Sequence, residues 1–89
     1  MVFIKVQNTF EHKFIKIDKW NTPVLAISIN SAHKFESLHS AIEFIRKFNL
    51  VKTSYVHQIH DYSTDKLLAT CTLVRDNTGK FIVGVQLQK

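Results

Sequence analysis

The sequence predicts an α+β domain in two layers, a curved antiparallel sheet of five to six strands packed on a single α-helix, in the order βββαβββ. Two periodicities lead to this expectation. Apolar and polar residues alternate in six short segments, as half-buried strands require, and in one segment the period lengthens to that of a helix. The segments are separated by brief polar clusters of turn-forming residues, so the connections are short.

Val2, Ile4 and Val6 share one face of the first strand, residues 2–6, against Phe3 and Lys5 on the other. After the polar break 8–13, a second strand over 14–20 places Ile15 and Ile17 together and Phe14, Lys16, Asp18 and Trp20 opposite them. Asn21, Thr22 and Pro23 make a turn, and a third strand over 24–29 aligns Leu25, Ile27 and Ile29, which makes strands two and three a hairpin. Between Ser37 and Phe48 the residues Leu38, Ala41, Ile42, Ile45 and Phe48 form a helical stripe with Phe44 on its flank. Ser37 caps the first amides, and Ser40 in place of Glu or Gln predicts no capping box. Arg46 and Lys47 suit the negative end of the helix, Asn49 suits a left-handed stop, and Leu50 can fold back on Ile45.

Three further strands are expected over 52–60, 66–75 and 80–88, with turns at 61–65 and 76–79. Gly79 suits a left-handed turn position, and Gly84, opposite the face shared by Phe81, Val83, Val85 and Leu87, marks a bulge or a close approach. The expected core sets Leu38, Ile42, Ile45 and Phe48 against Ile4, Ile15, Ile17, Ile27, Phe81, Val83 and Val85.

A length of 89 residues fits one domain spanning 1–89, and 45% hydrophobic residues with seven Phe supply one core and exclude disorder as the main state. The longest apolar runs, 24–27 and 81–85, fall far short of the ~20 residues of a membrane span. A non-exported, cytoplasmic protein with no membrane partner is therefore expected. Cys71 is alone, which excludes an internal disulfide and fits a reducing compartment; within Leu67, Ala69, Cys71 and Leu73 it reads as a small buried hydrophobe. The net charge of +5 favours polyanionic partners, although the cations are dispersed and Lys outnumbers Arg ten to two.

No metal site is expected. His57 and His60 point to opposite faces of a strand, where partly exposed strand-end positions suit them, and a third ligand would have to come from His12, His33 or His39. Nor is a catalytic residue or cofactor expected. Asp61, Asp65 and Asp76 fall in turns, Glu36 precedes the helix, Glu43 lies on its solvent face, and no nucleophile elbow, phosphate loop or HExxH occurs. The chain is read as no enzyme.

Binding is the better expectation. If Val2, Ile4, Val6, Ile15 and Ile17 face the helix, the opposite face carries Phe3, Lys5, Phe14, Lys16 and Trp20, the candidate binding residues. Aromatic rings beside Lys suit a protein interface, with the chain acting as an accessory factor or inhibitor of a larger, nucleic-acid-handling machine. The same mixture suits direct binding of single-stranded RNA or DNA, and a homodimer could equally cover the rings. No diagnostic family motif is present; the order of three strands, a helix and two strands resembles an OB-fold, from which the sixth strand departs.

Overall fold

In a computed structural model, which describes residues 1–7, 13–48 and 56–88, six strands form one antiparallel sheet with a single α-helix on one face. The strands are β1 (Val2–Val6), β2 (Phe14–Ile17), β3 (Pro23–Ala26), β4 (His57–Asp61), β5 (Leu67–Arg75) and β6 (Phe81–Leu87), and the helix α1 is Leu38–Lys47. Their spatial order is β3-β2-β1-β4-β5-β6. The two-layer α+β expectation holds, while the OB-like likeness stops at element order: β3 and β6 both end as edges, so the described sheet does not close into a barrel.

The register explains the core. Val6, His57, Cys71 and Val85 lie in one row across four strands, and Ile4, Ile59, Ala69 and Leu87 in the next. Alternation therefore turns Val2, Ile4, Val6, Ile59, Ala69 and Cys71 toward the helix, where Ala41 and Ile45 are fully buried on them. Leu38, Ile42 and Phe44 are half-buried at the margins of this contact. Phe35 joins the same core and forms an antiparallel bridge with Val2, exchanging hydrogen bonds of 2.9 and 2.8 Å, which delivers the chain to the start of α1.

Several sequence expectations are corrected. The second strand ends at Ile17, not Trp20, because the Asp18 carboxylate accepts from the backbone N–H groups of Trp20 and Thr22 (2.9 Å each) and closes a turn. The third strand ends at Ala26: the Ser28 hydroxyl accepts from Asn30 N–H (3.1 Å) and starts a 3₁₀ turn over Ile29–Ser31. Ile27 is consequently 61% exposed and takes no part in the core, and Phe81 is exposed as well. Phe48 is half-buried at the helix C-cap. A capping box does exist, since the Ser40 hydroxyl accepts from Ser37 N–H while the Ser37 hydroxyl accepts from Ser40 N–H, both at 3.1 Å. A hydroxyl replaces the usual carboxylate or amide in that motif.

The fourth strand runs over His57–Asp61; positions 52–55 of its expected span lie outside the described residues, as do the break 8–12, the predicted stop at Asn49 and the packing of Leu50. The register irregularity lies between Ile59 and His60, in the β4–β5 pairing, and not at Gly84. At Gly84 the constraint is a close approach, because a Cβ there would stand 2.9 Å from a Val74 methyl group.

Candidate functional site

The five residues singled out in the sequence separate into three environments. Phe3 is 1% exposed. It does lie on the face away from α1, but there it is enclosed by Phe14 (ring centroids 5.9 Å), His60 (5.5 Å, nearly parallel) and Tyr62 (6.0 Å, edge-on). An aromatic at the centre of a sheet gains more from covering itself with other rings than from facing water. Phe14 and Lys5 are half-buried beside it, and Lys16 is exposed farther along β2. The single exposed aromatic-basic face expected over these residues is therefore replaced by a small closed cluster and one outlying ring.

That ring is Trp20, 73% exposed at the tip of the β2–β3 hairpin. The turn beneath it is fixed by its own hydrogen bonds. Asp18 N–H donates to Thr22 C=O and Asn21 N–H to Asp18 C=O, both 3.0 Å, and Asn21 takes a left-handed φ of 65°. The Lys19 ammonium sits 4.5 Å from the indole centroid. A large apolar ring is thus held out from the fold by a structured turn.

Beside this turn, between the hairpin and α1, lies an open groove of about 560 Å³. Its lining includes Ile17 and Asn21 from the hairpin, His33 and Phe35 from the segment before the helix, and Ser40, Glu43, Phe44, Lys47 and Phe48 from α1. Four rings run along it in sequence of contact: His33 to Phe35 at 4.6 Å, Phe35 to Phe44 at 5.1 Å, and Phe44 to Phe48 at 4.7 Å. The groove wall is mixed, apolar at Ile17, Phe35, Phe44 and Phe48 and polar at Asn21, His33 and Ser40, with Glu43 and Lys47 offering both signs of charge. Sequence reasoning missed it. The available signal was the i, i+4 pair Phe44 and Phe48, displaced from the main stripe, but the closeness of Phe35 depends on its bridge to Val2.

The titratable side chains of His57, His60, Asp61, Cys71 and Asp76 lie in the sheet and its turns. His57 faces the helix and is 3% exposed, not a partly exposed strand-end residue as the sequence suggested, because the row Val6–His57–Cys71–Val85 runs beneath the helical layer. Its Nδ1 has no hydrogen-bond partner among the described residues, and burial pulls its pKa from 6.5 down to about 4. His60, on the opposite face, lies 3.1 Å from the Asp65 carbonyl and 3.3 Å from the Gln58 amide oxygen through its two ring nitrogens. Burial also pushes the Cys71 thiol up and so disfavours the thiolate form, against a smaller opposing effect of the Arg46 charge.

Among the described residues, no three His, Cys, Asp or Glu side chains are grouped to hold a metal ion; His12 lies outside them. The carboxylates of Asp61 and Asp76 are held below their ordinary range chiefly by Thr64 and Thr78, which donate through both hydroxyl and backbone N–H. These are turn-forming bonds. Among the same residues no helix is long and apolar enough to cross a membrane. Compared with family models, curated proteins and solved structures, the chain matches none.

Proposed function

We propose that this chain is a non-catalytic binding protein that docks on a protein partner through Trp20 and the adjoining aromatic groove, as an accessory factor or inhibitor acting in the cytoplasm. The observation that carries this reading is the 73% exposure of Trp20 on a turn closed by Asp18. Tryptophan is the residue type most often found as an energetic anchor of protein interfaces, and a preordered turn reduces the entropy lost on docking. The groove beside it is wide open, which suits a side chain or loop of a macromolecule better than an enclosed small molecule. The net charge of +5 is the support for placing the partner in a nucleic-acid-handling complex.

Direct nucleic-acid binding has less to stand on, since the burial of Phe3 leaves half-buried Phe14 and distant Trp20 as separate platforms. Affinity capture from a lysate with and without nuclease, using the natural chain and Trp20→Ala, separates the readings. A protein partner should survive nuclease, keep most of its affinity as salt rises, and bind Trp20→Ala more weakly by about 1–2 kcal/mol or more. Nuclease-sensitive capture would reject the proposal in favour of nucleic acid, as would a log–log salt slope of about −0.7 per neutralised phosphate that Lys5→Glu with Lys16→Glu abolishes.

A further inference from the structure

The two edges of the sheet are unlike. β3 has four residues and opens on Pro23, which has no N–H to offer, so it is a poor template for another strand. β6 has seven residues, FIVGVQL, without a charge or a proline, and Phe81, Ile82 and Leu87 are exposed along it. Among the described residues no strand pairs with the outer side of β6, and a long, apolar edge of this kind is the feature that soluble proteins ordinarily suppress unless something pairs with it.

The hydrogen-bond phase of β6 defines what can pair. Gln88 N–H donates to Leu68 C=O and Asp76 N–H to Lys80 C=O, both 2.9 Å, at the two ends of one continuous register with β5. Bonded pairs recur every second residue in an antiparallel ladder, so Ile82, Gly84 and Gln86 direct their backbone groups to β5. Phe81, Val83, Val85 and Leu87 direct theirs outward.

We infer that two copies of this chain join through antiparallel pairing of their β6 edges about a two-fold axis at Gly84, giving a continuous sheet across both. Among the antiparallel self-pairings, this register satisfies all four outward residues together: Phe81 faces Leu87 of the second copy and Val83 faces Val85, with about eight backbone hydrogen bonds in all. The side-chain pattern is self-complementary about the same point, as a two-fold interface requires. Val83 and Val85 are identical, Phe81 and Leu87 are both large and apolar, Ile82 meets Gln86, and Lys80 meets Gln88, so no like charges are opposed. The axis stands perpendicular to the sheet, which places both helices on one side. Trp20, on the hairpin at the far edge, stays free at each end of the dimer, so this inference is independent of the docking proposal.

Sedimentation equilibrium of the full chain at micromolar to tens of micromolar concentration tests it. The natural chain should sediment at twice its 10.3 kDa mass. Val85→Pro removes one outward N–H that the monomer's own ladder does not use, and should give a folded monomer. Because proline could also disturb the strand, a charge pair supplies the second test. Phe81→Glu with Leu87→Glu sets carboxylates opposite one another and should give monomer, whereas Phe81→Glu with Leu87→Lys sets opposite charges together and should restore the dimer. A monomeric natural chain, or a dimer that survives the double Glu variant, would overturn the inference; failure of the Glu/Lys pair to restore it would overturn the register.

Discussion

The β2–β3 and β5–β6 hairpins close with the same turn and use it for different ends. In each, an aspartate opens the turn: Asp18 accepts from the amides two and four residues on, Trp20 and Thr22, and Asp76 from Thr78 and Lys80. In each, the amide of the opening aspartate bonds to the carbonyl four residues on, and the fourth residue is left-handed, Asn21 at φ 65° and Gly79 at φ 82°. The tip of the second turn carries Asn77 and Thr78; the tip of the first carries Lys19 and Trp20. The strands differ too, four residues against the long β5 and β6. Turn chemistry thus sets the closure of a hairpin without dictating what it presents. A tryptophan at one tip is a cost in exposed apolar area that the fold itself does not require.

The largest expected effect strikes both hairpins together. Ile45→Asp places a carboxylate in the fully buried centre of the helix–sheet contact and should unfold the domain, as loss of the circular-dichroism transition would show. A variant that kept both hairpins native would mean that they stand without the helical layer, as independent units.

Next comes acid. His57 has a folded pKa of about 4 against 6.5 when unfolded, so the unfolded chain binds the extra proton between these values. The stability from keeping it neutral is complete above pH 6.5 and lost as pH falls toward 4, a swing of up to about 3 kcal/mol. His57→Leu should flatten that part of the profile in denaturant titrations. A profile unchanged by the substitution would place the acid sensitivity elsewhere. The turn aspartate Asp76 acts in a lower window, because its depressed pKa means that its contribution is lost only below the ordinary carboxylate range.

Smaller effects test the equivalence of the two turns. Asp18→Ala and Asp76→Ala each remove a carboxylate that accepts backbone N–H groups, and should lower the thermal midpoint by similar amounts, a few degrees each. A midpoint that fell for one alone would show that the two turns are not equivalent. At the left-handed positions Gly79→Ala should cost about 1 kcal/mol, an effect of the same order, and smallest of all is Asn21→Gly, which should be neutral or slightly stabilising.

This pair of turns also shows where the sequence was readable. Gly79 announced the second turn because glycine alone adopts its φ without strain, and the strands on either side were placed within a residue or two. The first turn uses Asn21, and the alternation of Phe14, Lys16, Asp18 and Trp20 extends the strand pattern through it, so period alone carried the strand three residues too far. The helix and its buried stripe were legible because Ala41, Ile42 and Ile45 recur at the helical period, and the burial of Cys71 followed from alternation. The groove was not legible: it depends on the bridge of Phe35 to Val2 and on where α1 lies over the sheet, both set by contacts distant in sequence. Burial of Phe3 likewise needed Tyr62 and His60 to arrive from another hairpin.

Trp20 is the chain's one tryptophan, so its fluorescence reports on the proposed docking point alone. The most direct measurement is acrylamide quenching and emission of the chain before and after addition of the protein recovered by nuclease-resistant capture. The free chain should show quenching and emission like those of indole in water, and the complex a blue shift and protection. Emission and quenching unchanged at saturating partner would contradict the claim that Trp20 is the residue through which this protein docks.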